Sequence, residues 1–177
     1  MNIVNTRFKN LKIIEHNSYK DKRGFLRITH VQKELNKKFI FEYCTTSKKY
    51  SLRGFHFQHR FQQAKYVTVL KGKILDCVID LRKKSKTFGK IFSIILSKEN
   101  NLALYIPEGF AHAYYSFEKE NIIYYKLTNY YKPKFEDGIN VLDKSLNINW
   151  PSGKKVVSIK DKKLKSFANF KNFYRSL

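Results

Sequence analysis

Apolar and polar residues alternate in short runs along most of the chain, which is the pattern of half-buried β-strands. The stretch KYVTVLKGKILDCVIDLR contains two such runs on either side of Lys71-Gly72, a short turn of the kind that joins the strands of a hairpin. A second pair of runs, in KIFSIILSKENNLALYIP, turns at Lys98–Asn101, and a third, AHAYYSF with NIIYYKLTNYY, turns at EKEN. Short strands at this regular spacing predict a sandwich or barrel of antiparallel strands.

Helical periodicity is confined to two segments, VQKELNKK and the basic C-terminal tail over residues 162–177. The apolar residues of the tail recur at roughly helical spacing: Leu164, Phe167, Ala168 and Phe170. We interpret this stripe as a core-packing face. Because no linker, repeat or second compositional region divides the chain, we predict a single domain over residues 1–177 that ends in a helical tail.

The composition is that of a folded protein. A chain of 177 residues with 42% hydrophobic and 16% aromatic residues can bury a core and is not a disordered segment. No apolar run has the length of a bilayer span, and MNIVNTRFKNLKII lacks a signal-peptide core. Cys44 and Cys77 do not make a disulfide framework. We therefore expect a cytoplasmic protein with no membrane association.

The net charge of +22 suggests a nucleic-acid partner, but its distribution argues against one. Lysine supplies 29 of the 36 cationic residues and is scattered, with short clusters such as Lys83–Lys86 and Lys160–Lys165. The chain is also rich in Asn, Ile, Phe and Tyr, a mixture that biased codon usage can produce. A basic protein attracts small anions such as nucleotides and pyrophosphates. We therefore interpret the charge as compositional bias combined with an anionic ligand.

The stretch SLRGFHFQ, residues 51–58, places an arginine and a histidine inside an otherwise hydrophobic strand. Strict alternation puts Arg53 on the same face as Phe55 and Phe57. His56 then falls on the opposite face beside Gly54, whose missing side chain leaves open space. The pattern predicts a place for a polar ligand on the face of His56.

A second histidine, His112, lies in IPEGFAHAYY, which resembles the Pro-x-Gly-x-x-His turn that closes a β-roll in cupin barrels. Metal-binding cupins pair this turn with His-x-His and a following glutamate. Here the matching stretch is His56-Phe57-Gln58, and Lys65 follows where a carboxylate is expected, a cation that would repel a metal ion. We therefore predict no metal site and assign the two histidines to acid–base chemistry. The alternative is a pair of structural core histidines.

The chain resembles the RmlC-type family, the dTDP-4-dehydrorhamnose 3,5-epimerases, from DKRGFL at Asp21 to SIKD at Asp161. The motifs that carry the resemblance are, in chain order, LRGFHFQ, AKYVTVLKGKILDCVIDLR, SKTFGK, YIPEGFAHA, YYKLTNYYKP and INWP. The resemblance implies an all-β fold, a cupin-type antiparallel β-barrel (a double-stranded β-helix or jelly roll) with a few short peripheral helices. It also implies an isomerase that requires neither a cofactor nor a metal.

The substrate that the resemblance implies is a nucleotide-linked 4-keto-6-deoxyhexose. Its ketone acidifies the protons at C3 and C5, so epimerisation needs a base on one face, an acid on the other and a group that stabilises the enolate. The family motifs assign these catalytic roles by position: His56 as the base, Asp161 as the carboxylate that orients it, Lys65 as the cation near the enolate oxygen, and Tyr125 as the acid.

Six further residues match substrate contacts of the family: Arg23, Arg53, His112, Tyr131, Glu136 and Lys160. The two arginines match cations that hold the diphosphate, whose paired oxygens suit a planar guanidinium. Tyr131 matches an aromatic residue that stacks on the nucleotide base, a contact that reports little about which base is bound. Asp76 and Asp80, which share a strand face, are candidate partners for His112.

Three positions depart from the family pattern. Ile28 stands in place of a glutamate, Phe41-Glu42-Tyr43 stands in place of Gln-x-Asn, and Tyr50 replaces a common glycine. The lost residues mostly contact the nucleotide in the family. The sequence therefore supports the chemistry better than it supports recognition of thymidine.

Each catalytic assignment has a structural alternative. Lys65 is one of many lysines, and Asp161 lies in a charged run that is typical of a solvated loop. Tyr125 adjoins Tyr124, so a slip of one residue would exchange the faces of the two side chains.

The resemblance further implies a homodimer whose N-terminal strands help to build the partner's site, with Arg23 acting across the interface, in a pathway to a cell-envelope polysaccharide. Two other functions stay open. One is a single-carbon epimerase or a ketoisomerase that acts on another nucleotide sugar, GDP-linked or other. The second is a non-enzymatic basic module that binds nucleic acid, whose affinity would weaken steeply with salt.

Overall fold

A computed structural model of the protein describes residues 1–175. The strands are, in order, β1 (Asn2–Asn5), β2 (Lys12–Glu15), β3 (Ser18–Asp21), β4 (Gly24–Arg27), β5 (Phe41–Lys48), β6 (Leu52–Gln58), β7 (Lys65–Lys71), β8 (Lys73–Asp80), β9 (Ile91–Ser97), β10 (Leu102–Ile106), β11 (Phe110–Ser116), β12 (Glu120–Leu127) and β13 (Glu136–Gly138). The α-helices are α1 (Gln32–Leu35), α2 (Ile159–Lys162) and α3 (Phe167–Arg175), and short 3₁₀ helices cover Pro133–Phe135 and Lys144–Leu146.

Two antiparallel sheets form the body of the molecule. One has the strand order β1-β2-β10-β7-β12-β5 and the other β13-β6-β11-β8-β9, while β3 and β4 pair only with each other. Apolar side chains from both large sheets, including Val67, Leu104 and Ile123 from the first and Val78 and Phe110 from the second, share one buried cluster. The two sheets therefore pack face to face around a common interior.

The terminal segments cover the outer faces of these sheets. Residues near the N-terminus, among them Ile3 and Leu35, pack on the outside of the first sheet around Tyr66. Val141 and Phe170, from the C-terminal part of the chain, pack on the outside of the second sheet. Apolar residues on both faces of a strand explain why several of the strands are hydrophobic almost throughout.

The predicted strands are correct, but the predicted hairpin pairing is wrong. β7 and β8, joined at Gly72, lie in different sheets, and so do β9 with β10 and β11 with β12. From β5 to β12 the chain crosses between the sheets at every connection except the one from β8 to β9. This is the jelly-roll arrangement, and it confirms the predicted cupin-type fold.

The turn at Gly72 illustrates why the pairing was not apparent. Gly72 has φ +80°, and a Cβ there would lie 2.5 Å from Oδ1 of Asn121. The Asn121 amide accepts a hydrogen bond from the backbone N–H of Lys73 and donates to the carbonyls of Ser47 and Glu118. The turn is therefore built against other strands, and a local turn signal does not tell whether the chain returns within its sheet or crosses to the other.

Two of the three α-helices lie within the segments that have helical periodicity, and both are shorter than those segments. α1 covers only four residues and α3 covers Phe167–Arg175 of the tail, whereas α2 begins at Ile159, before the predicted tail, and ends at Lys162. Phe167 and Phe170 of α3 are buried in the core, whereas Ala168 faces solvent. Ser176 and Leu177, the last residues of the predicted tail, lie outside the described residues. Within residues 1–175, no helix is long and apolar enough to cross a membrane.

Candidate active site

A cavity of about 150 Å³ opens between strands of both large sheets. Seven of the ten predicted site residues line it: Arg53, His56, Lys65, His112, Tyr125, Tyr131 and Glu136. Asp161 lies directly behind one of them, while Lys160 and Arg23 lie outside the cavity lining. The fold thus brings together side chains that are separated by more than 80 positions in the sequence.

An irregularity in β6 places Arg53 and His56 on the same cavity. Across the pairing with β11, His56 lies opposite His112 and Arg53 opposite Tyr114, so β6 has one residue more than its partner. Such a bulge resets the alternation of side chains. The prediction that Arg53 shares a face with Phe55 is therefore wrong, because Arg53 faces the cavity while Phe55 is buried in the core.

Gly54 makes this irregularity possible. Its φ is +116°, and a Cβ at this position would lie 2.5 Å from the carbonyl oxygen of His112 and 2.6 Å from Cβ of Ala113. The missing side chain therefore does not leave open space for a ligand, as the sequence suggested. It allows the neighbouring strand to approach the backbone of β6.

His56 and Asp161 form a hydrogen-bonded pair at the wall of the cavity. Nε2 of His56 lies 2.8 Å from Oδ1 of Asp161, and the backbone N–H of Gly54 donates to Oδ2. Asp161 is buried, whereas 31% of the His56 side chain is exposed. Although burial alone raises the pKa of Asp161, the hydrogen bond and charge of His56 lower it below its ordinary value. The pair therefore presents an imidazole to the cavity with an ionised carboxylate behind it.

Asp161 reaches this position through α2. Ser158 caps the helix by accepting a hydrogen bond from the backbone N–H of Asp161. The charged run that suggested a solvated loop is thus a helix start that turns one carboxylate inward.

A second histidine–carboxylate pair lies deeper in the same site. Nε2 of His112 is 2.8 Å from Oδ2 of Asp76, and both side chains are buried. Of the two candidates from the sequence, Asp76 is therefore the partner of His112. Asp80, the other candidate, instead binds the side chains of Arg82, Ser85 and Thr87.

Lys65 is a buried cation at the start of β7. Its Nζ donates to the carbonyl oxygen of His56 at 3.4 Å, and only 9% of the residue is exposed. Burial lowers the pKa of Lys65 to about 8, although the negative charges of Glu136 and Asp76 oppose the change. The alternative of one more surface lysine is excluded by this burial.

Tyr125 faces the cavity, and its neighbour Tyr124 faces the other way and donates to Glu42. Tyr125 is only 3% exposed. Burial, followed by the nearby Tyr114, Tyr43 and Asp76, raises the pKa of Tyr125 well above its ordinary value. The phenol therefore keeps its proton throughout the neutral range.

Tyr131, Glu136 and Lys160 form a connected group at the cavity mouth. Oε2 of Glu136 accepts hydrogen bonds from the Tyr131 hydroxyl, at 2.8 Å, and from Nζ of Lys160. Burial raises the pKa of Glu136, but these two donors outweigh it and lower the pKa below its ordinary value. Lys160 is not part of the cavity lining, and it reaches the site through Glu136.

Arg23 is not brought to the cavity of its own chain. It lies at the turn of the β3–β4 hairpin, with 90% of its side chain exposed, and binds Asp21. The hairpin also carries exposed apolar side chains, namely Tyr19 at 59%, Phe25 at 48% and Leu26 at 61% exposure.

Six cavity-lining residues were not predicted: Tyr43, Thr45, Phe57, Gln58, Gln63 and Tyr114. The hydroxyl of Tyr114 lies 3.1 Å from that of Thr45 and 2.9 Å from that of Ser47, which also accepts from Nε of Arg53 at 3.0 Å. Tyr43 was noted in the sequence only as a departure from the family pattern. The alternation of Tyr43 and Thr45 along β5 was the available signal for their common face.

Metal ligands are not clustered in the described part of the chain. Among residues 1–175, no group of three or more His, Cys, Asp or Glu side chains is placed to hold a metal ion. The two histidines of the site are each bonded to a carboxylate instead.

The sequence matches the family described as dTDP-4-dehydrorhamnose 3,5-epimerase over residues 5–169. Among curated relatives, the dTDP-4-dehydrorhamnose 3,5-epimerase of Shigella flexneri is 37% identical over 168 residues, which are 91% of this chain and 93% of the relative. The enzyme of the same name from Methanothermobacter thermautotrophicus is 38% identical over 144 residues, 78% of each chain.

Solved structures of 3,5-epimerases are also similar to this chain. The dTDP-6-deoxy-D-glucose-3,5-epimerase of Legionella pneumophila, in complex with dTDP-4-keto-L-rhamnose, superimposes with a TM-score of 0.89 at 39% identity, covering 93% of this chain and 92% of that one. The dTDP-4-dehydrorhamnose 3,5-epimerase of Bacillus anthracis, with TDP and pyrophosphate bound, gives a TM-score of 0.90 at 32% identity, covering 94% and 99%.

Proposed function

This chain belongs to the dTDP-4-dehydrorhamnose 3,5-epimerase family, and we propose that it inverts C3 and C5 of dTDP-4-dehydro-6-deoxyglucose through enolate intermediates. The observation that carries the proposal is the convergence of a histidine–carboxylate pair, a buried lysine and a buried tyrosine on one cavity, in residues His56, Asp161, Lys65 and Tyr125.

In the proposed mechanism His56 is the base. Its Nε2–H donates to Asp161, which leaves Nδ1 to accept the proton from the carbon next to the ketone. The ionised carboxylate stabilises the imidazolium that forms, so the base gains charge without being exposed to full solvent.

The electrons of the broken C–H bond move to the ketone oxygen, and Lys65 stabilises the resulting enolate. An ammonium group in a nearly dry site interacts strongly with a developing negative charge. Tyr125 then donates its phenolic proton to the carbon from the face opposite His56, which inverts the centre. The high pKa of Tyr125 keeps this proton available until the carbanionic carbon accepts it.

The nucleotide part of the substrate is proposed to bind at the mouth of the cavity. Arg53 is exposed there and can pair with diphosphate oxygens, while Tyr131, held by Glu136, offers a ring to the base. The net charge of +22 favours the approach of a dianionic substrate.

We propose further that two copies of the chain form a homodimer in which the β3–β4 hairpin completes the partner's site. The hairpin pairs with neither large sheet and presents Phe25 and Leu26 to solvent. Exposed apolar residues grouped on one element are typical of an interface. Arg23, at the turn of this hairpin, would then reach the diphosphate of the partner's substrate.

Deuterium incorporation from heavy water tests the function. We expect the wild-type protein to incorporate deuterium at C3 and C5 of dTDP-4-dehydro-6-deoxyglucose, and His56→Ala to lose this at both carbons. The matched control is His59→Ala, because His59 is an exposed histidine three positions away that does not line the cavity. Its exchange rate should equal that of the wild type.

Other outcomes would redirect the assignment. Exchange at one carbon only would indicate a single-carbon epimerase or a ketoisomerase. If the dTDP-linked sugar shows no exchange but a GDP-linked 4-keto-6-deoxy sugar does, the nucleotide of the substrate would be reassigned. Loss of exchange in both histidine variants would contradict the role of His56.

A further inference from the structure

The ring of Tyr43 stacks on the ring of Tyr125. The two residues are directly opposite each other in the β5–β12 pairing, their ring centroids lie 4.8 Å apart, and the planes are inclined by 21°. Both rings line the cavity.

Tyr125 is oriented by ring contacts rather than by a hydrogen bond. Among residues 1–175, no group forms a hydrogen bond with its hydroxyl, while the His112 ring contacts it edge-on at 5.9 Å and 68°. The neighbouring Tyr114 is held differently, since its hydroxyl is bonded to Thr45 and Ser47. A hydroxyl that forms no hydrogen bond suits a proton donor. The direction of the phenol then depends on the packing of its ring.

Tyr43 can supply that direction because its own position is supported. The residue is 37% exposed and lines the cavity, and the ring of Phe41, two residues earlier on the same strand face, lies against its ring at 5.6 Å. The ring of Tyr43 thus lies between Phe41 and Tyr125, and its removal would take away the ring that is stacked on Tyr125.

We propose that Tyr43 is a positioning residue that aims the Tyr125 phenol and thereby sets the face from which the enolate is reprotonated. This inference rests on the proposed function. A planar enolate can accept a proton on either face: return from His56 restores the starting configuration, and delivery from Tyr125 inverts it. The ratio of the two depends on how well the donor is placed, and misplacement by about 1 Å can cost on the order of a hundredfold in rate.

The ratio is measurable in heavy water. Return from His56, after its abstracted proton has exchanged with the solvent, gives deuterium in unepimerised substrate, and delivery from Tyr125 gives deuterium in epimerised product. For Tyr43→Leu and Tyr43→Asn, which remove the ring, we expect the ratio of epimerised to unepimerised deuterated sugar to fall by roughly tenfold or more. Tyr43→Phe keeps the stacked ring and should keep the wild-type ratio.

The matched control is Tyr124→Leu, the same change one position from Tyr125 but on the opposite face of the sheet. It should leave the ratio unchanged. Thermal unfolding of each variant shows that the fold is retained, and Tyr43→Asn serves if Tyr43→Leu does not fold.

The results separate this inference from the function on which it rests. A wild-type protein that exchanges neither carbon overturns the proposed function. A wild-type protein that epimerises, with an unchanged ratio in both ring-deletion variants, overturns the role of Tyr43 alone. Equal loss of both deuterated species, or loss of the ratio in Tyr43→Phe, also overturns it, because neither follows from ring stacking.

Discussion

At the scale of single residues, the two histidines of the site differ in their access to a substrate. His56 is partly exposed with a buried carboxylate behind it, whereas His112 and its partner Asp76 are both buried. Proton abstraction requires contact with the substrate carbon, so the exposed imidazole is the better base. The buried pair is suited to a fixed position from which a hydrogen bond can be donated to the substrate.

The pH dependence of activity should report Lys65. Because burial lowers its pKa to about 8, the ammonium form predominates below this pH and the neutral amine above it. If the ammonium stabilises the enolate, kcat/KM falls as pH rises through about 8. The check is a pH profile of deuterium exchange for the wild type and for Lys65→Arg, whose charge persists and whose profile should lack this decline.

Lys65→Met completes the comparison. It removes the charge and should lower the exchange rate by about a hundredfold or more, as loss of an enolate-stabilising group does. A wild-type profile that stays flat between pH 7 and 9.5 would contradict the assigned role of the ammonium group.

At the scale of elements, the bulge in β6 is the feature on which the site depends. It turns Arg53 toward the cavity and keeps Leu52, Phe55 and Phe57 in the core. The close approach of β11 at Gly54 makes this arrangement intolerant of a side chain.

Gly54→Ala should therefore destabilise the protein strongly. Its added Cβ meets backbone and Cβ atoms of β11 at 2.5 to 2.7 Å, and the residue has φ +116°. We expect a loss of about 3 kcal/mol or more in the free energy of unfolding, which combines backbone strain with overpacking. Urea denaturation measures it.

Gly153→Ala is the matched control for this substitution. Gly153 also has positive φ, +86°, but nothing lies within 4 Å of an added Cβ. Strain alone should cost about 1 kcal/mol. Equal losses for the two variants would show that the contact with β11 does not matter.

At the scale of the whole molecule, the β3–β4 hairpin and the cavity belong to different regions of the chain. The hairpin pairs with neither sheet, and Arg27 connects it to the barrel by donating to the carbonyl oxygen of Val69 at 2.8 Å. Because Arg23 does not line the cavity of its own chain, we propose that it acts on the site of a second copy.

Mixing two inactive variants tests this dimer. Arg23→Ala and His56→Ala should each be nearly inactive alone. If Arg23 acts across the interface, half of the randomly mixed dimers are heterodimers with one intact site, so an equal mixture should recover about a quarter of wild-type activity. The assay is turnover after the subunits have been exchanged.

If the mixture stays inactive although sedimentation shows heterodimers, Arg23 acts within its own chain or not at all. A protein that sediments as a monomer at assay concentration with full turnover would contradict the proposed dimer itself.

The sequence by itself determined the strands, the turns and the residue types of the site. Alternating apolar residues and turn residues act locally, so β7 and β8 were predictable even though their partners were not. The family motifs identified seven residues that do line one cavity, together with the carboxylate behind His56. These local signals failed at Arg53, whose orientation depends on the pairing of β6 with the distant strand β11.

Only the tertiary structure decided which strands pair, which face Arg53 takes and what holds Tyr125. Strand pairing depends on hydrogen bonds between segments far apart in the chain, and a bulge of one residue reverses the faces that alternation predicts. Tyr43, a departure from the family pattern in the sequence, became part of the site because β5 lies beside β12. The physical reason is that the alternation of side chains acts locally along a strand, whereas the neighbours of a strand and the position of its bulges are set by the closure of the barrel.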